Sequence, residues 1–187
     1  MKLRPYLLAL ATLLVLAGIP LGASALPGQT LAAFAVWSAH QPLLRGLKRS
    51  TDEMSGWPSF SLLTADHGIA WRMDAHTDNR SIVSEGLGVS TAGGAPGTEP
   101  IRHDGAGYGF VFFRSLYGPA IANDYRDAPS VASFKDPSNG SVTTFYRGKR
   151  YGYSSANGFL TLETQLAFDR DLALMRRCTA KPQTCIE

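Results

Sequence analysis

The stretch Leu160-Thr161-Leu162-Glu163-Thr164-Gln165-Leu166-Ala167-Phe168 carries the cleanest apolar alternation in the chain. Leu160, Leu162, Leu166 and Phe168 face one way, and Thr161, Glu163, Gln165 and Ala167 the other. That period of two predicts a half-buried strand whose second face meets water. Working back from it, Ser130 to Phe134, Ser141 to Tyr146 and Tyr151 to Ser155 read as further strands. Asn139-Gly140, Arg147-Gly148-Lys149 and Asn157-Gly158 supply the turns between them. Working forward, Asp169 can cap a final helix with Leu172 and Met175 inward and Arg176 and Arg177 near its negative end.

The earlier half repeats the pattern more faintly. Thr30 can cap a helix running to about Trp37, with Leu31, Phe34 and Trp37 on one face, before Pro42 interrupts it. A polar stretch from Arg45 to Gly56 leads to two strand signals, Pro58 to Thr64 and Ile69 to Asp74. Between them Ala65-Asp66-His67-Gly68 reads as a hairpin turn. Ser81 to Val89 is one more strand, weakened by Gly86 and Gly88. Residues 92–107 are rich in Gly and Pro and read as a mobile loop. Tyr108 to Tyr117 fits a helix by the spacing of Phe110, Phe113 and Tyr117, and a buried strand by its continuous apolar character. Pro119 is placed to begin a short helix to Tyr125. The sum is an α+β chain: an antiparallel β-meander sheet flanked by N-terminal, middle and C-terminal helices.

The first twenty-five residues read as an address. Lys2 and Arg4 precede an uncharged run from Leu7 to Ala25, and Ala23 and Ala25 provide the small side chains that signal peptidase accepts. Residues 1–25 are therefore expected to be a signal peptide, and 26–187 a single α+β domain. The alternative, an uncleaved anchor, is disfavoured by Gly18, Pro20 and Gly22, and membrane contact is expected only under that alternative. The full chain of 187 residues has 18 Lys and Arg against 15 Asp and Glu, a net charge of +3. Losing Lys2 and Arg4 lowers that to +1, so no basic surface remains that would recommend a nucleic acid as partner. Export places the protein in the periplasm or outside the cell. There Cys178 and Cys185 are expected to form a disulfide that ties the tail to the last helix.

Several C-terminal features go together: Leu116-Tyr117-Gly118-Pro119, Asp124-Tyr125, a Gly-centred hairpin of charged and aromatic residues, and an alternating strand ending in Phe168-Asp169. Over roughly the last eighty residues this resembles a group of uncharacterised exported cyanobacterial proteins. The resemblance implies an extracytoplasmic α+β fold, with the thylakoid lumen as a further compartment in such a host. It implies nothing about chemistry.

For catalysis, Asp66-His67 and His103-Asp104 stand out, with Asp74 and His76 nearby. Two His with carboxylates would suit an envelope hydrolase or a metal-dependent enzyme. Both pairs are also ordinary turn chemistry, and neighbours in a strand point apart. Neither G-x-S-x-G nor S-x-x-K occurs, and no metal or cofactor spacing is present, so no cofactor is expected. Asn79-Arg80-Ser81 and Asn139-Gly140-Ser141 match a glycosylation pattern that matters only on a eukaryotic route. The most distinctive surface feature is the hairpin with Tyr146, Arg147, Lys149, Arg150, Tyr151 and Tyr153, three cations among three tyrosines. Such a ribbon can stack a sugar ring or grip an anionic polymer. The expectation is a small exported binding or accessory protein with no catalytic centre. It would meet a protein partner or an anionic or carbohydrate envelope ligand through its sheet and this hairpin. The enzyme reading on His67 and His103 is the alternative.

Overall fold

The computed structural model describes residues 26–91 and 93–180. The expected signal peptide and Cys185 lie outside the described residues. The elements run α1 (Leu31–His40), a 3-10 turn (Pro42–Leu44), β1 (Lys48–Thr51), β2 (Pro58–Asp66), β3 (Ile69–Thr77) and β4 (Ile82–Thr91). They continue through α2 (Tyr108–Tyr117), α3 (Pro119–Arg126), β5 (Ser130–Lys135), β6 (Val142–Arg147), β7 (Gly152–Ala156), β8 (Phe159–Glu163) and α4 (Gln165–Ala180). All eight strands form one antiparallel sheet in the order β1-β2-β3-β4-β8-β7-β6-β5. The fold is α+β, built as two four-stranded meanders joined edge to edge by β4 and β8.

Local chemistry explains the turns. His67 and Gly68 have φ of 48° and 80°, and Asn157 and Gly158 have 51° and 80°. Two left-handed residues in a two-residue loop match the right-handed twist of the flanking strands. Thr30 caps α1 by accepting the Ala33 N–H at 3.2 Å. Gly118, at φ 85°, ends α2, and Pro119 starts α3 immediately after it.

Cross-strand register assigns the faces. One face presents Trp71, Met73, Leu87, Val89, Leu160, Leu162 and Tyr153, all buried. Phe34 and Trp37 of α1, Phe113 and Leu116 of α2, and Ile121 and Tyr125 of α3 close over it. On the opposite face α4 lays Phe168, Leu172 and Met175 against Phe145, Val131, Ala132 and Phe134. The β1–β4 half of that face is open, with Leu63 68% exposed.

Three local expectations change. The alternation through Phe168 is not one strand: β8 stops at Glu163, and the Thr164 hydroxyl accepts the Ala167 N–H at 3.2 Å. Thr164 therefore opens α4, not Asp169, and Leu166 is left 83% exposed while Phe168 is buried by helical geometry. Glu163, expected in water, is 4% exposed because α4 folds back over it. Finally, the polar linker contains a strand, β1, exposed at all four positions. Lys48 and Arg49 on such an edge discourage further strand addition. The Tyr108 to Tyr117 segment is a helix.

Candidate functional site

The 146–153 hairpin is the place where chain segments distant in sequence converge. Tyr146 pairs with Tyr153 across β6 and β7, so both rings point to the covered face. Tyr153 is fully buried, its ring centroid 5.2 Å from that of Tyr125. Tyr146 is half-buried and stacks on His103 at 4.2 Å with an interplanar angle of 12°. Arg147 lies over the Phe168 ring at 4.9 Å, donates to Gln165 Oε1 at 3.1 Å and pairs with Asp169. What remains outward is the turn itself: Lys149 and Arg150 are exposed and Tyr151 is half-buried. Neither cation forms an ion pair among the described residues, whereas Arg102, Arg126, Arg147 and Arg170 each hold an aspartate.

Asp124 on α3 fixes this turn. Its carboxylate accepts the Lys149 N–H at 2.9 Å, the Arg150 N–H at 3.4 Å and the Tyr153 hydroxyl at 2.8 Å. Burial, and then the Asp124 carboxylate that its proton bonds, hold the Tyr153 phenol far above its ordinary pKa. Asp124→Ala is expected to cost about 1–3 kcal/mol, chiefly by leaving the buried Tyr153 hydroxyl with only its long 3.5 Å bond to the Ile121 carbonyl. It should also open the turn to trypsin at Lys149 and Arg150, with Asp124→Asn recovering part of both losses. Urea midpoints and limited proteolysis measure this. An unchanged cleavage rate would remove Asp124 from its positioning role.

Arg150 stands between two clefts. One, of about 510 Å³, is lined by Leu26, Trp37, Leu116, Tyr117 and Ile121 with Arg150 at its edge. The other, of about 300 Å³, runs between α3 and the hairpin past Asn123, Asp127, Pro129 and Lys149. A third cleft of about 370 Å³ lies beside α4, between Trp57, His76, Ser84, Arg170 and Asp171. Its carboxylates are already engaged. Asp52 holds the Met54 and Ser55 N–H groups, and Asp171 holds Arg170.

The two histidines of the enzyme reading occupy different surroundings. His67 sits at the exposed β2–β3 turn, where its Nδ1 lies 2.7 Å from Asp66 Oδ1. The positive φ of His67 lets neighbours meet that would diverge in a strand. His103 is held by its stack on Tyr146, an edge contact with Tyr125 at 5.1 Å, and Nε2 at 2.8 Å from the Ala128 carbonyl. Asp104 turns away to Arg102, whose guanidinium holds its carboxyl down at about 2. No contact joins His67 to His103, and no group of three or more His, Cys, Asp or Glu suited to a metal occurs among the described residues. Cys178 is half-buried in the last turn of α4.

Two acids were not singled out in the sequence. Glu85 is fully buried on the covered face, and neither of its oxygens has a hydrogen-bond partner. The Tyr117 hydroxyl is directed toward it without closing a bond of ordinary geometry, and it too is orphaned. Burial pushes the Glu85 carboxyl up to about 8 and the Tyr117 phenol well above its ordinary value. Glu163, on the other face, is pushed up to about 8 by burial and then by Asp171, with its Oε2 unpartnered. The available signal was modest: Glu85 shares its parity with Leu87 and Val89 on β4. No helix among the described residues is long and apolar enough to cross a membrane. Comparison with family models, curated proteins and solved structures finds no match to this chain.

Proposed function

We propose that this chain is a small exported binding or accessory protein that meets an anionic carbohydrate of the envelope through its hairpin tip. The observation that carries this reading is the pair Lys149 and Arg150, exposed, without ion-pair partners among the described residues, and held on a backbone bonded to Asp124. Fixing the turn beforehand lowers the ordering cost of contact. The clefts on either side of Arg150 give a polymer somewhere to lie. The tyrosines support the ribbon rather than the ligand, since Tyr153 is buried and Tyr146 is occupied by His103. Binding is favoured over catalysis because His103 is fully committed to packing and His67 to a solvated turn pair.

The test is retention on alginate, a carboxylated polysaccharide, at low salt and pH 6. The Lys149→Ala, Arg150→Ala double variant should bind about tenfold or more weakly, and added salt should weaken the wild type as exposed charge contacts require. Tyr151→Ala should have a smaller effect. Equal retention of wild type and double variant would remove the tip from the proposal.

A further inference from the structure

The two meanders touch through one strand pairing. β4 and β8 align over five positions, from Ser84↔Glu163 to Gly88↔Phe159. At one end of this seam, two consecutive rows each carry a buried acid. Glu85 lies between Ala75 and Leu162 on the face covered by α2 and α3. Glu163 lies between Ser84 and Gly152 on the face covered by α4. The acids thus flank the joint from both sides of the sheet.

Their surroundings lack what a buried carboxylate needs. Around Glu85 the titratable groups are Tyr117 from α2 and Tyr151 from the hairpin turn, with no cation among them. Around Glu163 they are Asp171 and Arg170 from α4, and Arg170 already pairs with Asp171. His76, opposite Ser84 on β3, and Arg147, opposite Gly152 on β6, are the next titratable side chains along that row, and Arg147 already pairs with Asp169. Three of the four carboxyl oxygens are buried without a hydrogen-bond partner. An uncharged acid tolerates such a place far better than an ion does, and an ion there is relieved by admitting water.

We propose that the β4–β8 seam is a proton-operated joint. The two meanders stay paired while Glu85 and Glu163 are neutral acids, and loss of their protons parts the strands and loosens the hairpin-bearing half. Burial moves both transitions to about 8, so the joint responds near neutrality and not in the usual carboxylate range. Tyr151, on the turn that carries Lys149 and Arg150, lies near enough to Glu85 for loosening at the seam to reach that turn. As regulation of the contact surface this rests on the function proposed above. The joint itself is measured without any ligand.

The experiment is amide hydrogen exchange on the full chain from pH 6 to pH 9, corrected for the intrinsic pH dependence of exchange. Residues 82–91 and 159–163 should lose protection about tenfold or more across that range, and E85Q/E163Q should stay within about twofold. Infrared spectra of the wild type provide a readout that needs no variant: a protonated carboxyl band should persist at pH 7 and fade toward pH 9. Protection that does not change with pH, a double variant that loses protection as the wild type does, or no protonated band at pH 7 would each overturn the joint. Failure to bind alginate with the titration intact would sink only the functional reading.

Discussion

Gly152→Ala is expected to destabilise the protein by about 3–5 kcal/mol, the cost typical of losing a buried phenylalanine from a core. Gly152 lies on β7 between Arg147 and Glu163, and its missing side chain leaves the space that the Phe168 ring occupies. A β-carbon there would fall inside the van der Waals envelope of Phe168 Cβ, Cγ and Cδ2. Those are the inner atoms of the ring and its stem, so no rotation of a flexible end relieves the clash. Phe168 is fully buried, packs edge-on against Phe145 at 5.7 Å, and is the first large apolar anchor of α4. Expelling it uncouples the helix that covers the β5–β8 half of the sheet and shelters Glu163. Urea unfolding followed by circular dichroism measures the loss. Because the cost is steric, Gly152→Ala combined with Phe168→Ala should be less damaging than the two effects added. A loss under about 1 kcal/mol for the single variant would show that α4 is not seated through this contact.

What the sequence disclosed tracks the range of the interactions concerned. The Asn157-Gly158 hairpin, the Thr30 cap and the Gly118-Pro119 corner are local, and each was legible from its own few residues. β1 was not, because Lys48-Arg49-Ser50-Thr51 is ordered by pairing with β2 and has no buried side chain to pattern it. The run from Leu160 to Phe168 satisfied a period of two by accident of composition. Its second half also satisfies helical spacing through Phe168, Leu172 and Met175, and the Thr164 cap decided between the two. In the hairpin the residue types were plain but their roles were not. Asp124, twenty-five residues before Lys149, determines that the turn is fixed, and the register determines that Tyr153 faces inward. The buried acids were least visible, since burial of Glu163 depends on α4 folding back and that of Glu85 on α2 crossing β4.

The same two acids should make the folded state more stable in mild acid than at slightly alkaline pH. An exposed glutamate titrates at 4.5, whereas Glu85 and Glu163 in the fold are pushed up to about 8. Below 4.5 both states hold the proton and the acids impose no linkage cost. Between those values the unfolded chain releases protons that the folded chain retains, so stability falls as pH rises, and above about 8 the loss is complete. At about 1.4 kcal/mol per pH unit, each acid contributes at most about 4–5 kcal/mol across the window. On the acid side the sign reverses. Asp52 and Asp78 are held below 3.8, first by the N–H groups of Ser55 and Ser81, and Asp136 first by the Ser138 hydroxyl, so their support vanishes as pH falls further. The maximum is therefore expected near pH 5, with urea midpoints declining toward pH 8. Glu85→Gln should flatten about half of that decline, because an amide cannot ionise but keeps the shape of the neutral acid. Glu85→Leu should go further and raise stability at every pH, since it also removes two orphaned oxygens. A midpoint that climbs from pH 5 to pH 8, or a decline that survives Glu85→Gln unchanged, would mean that Glu85 is not the buried neutral acid its surroundings require.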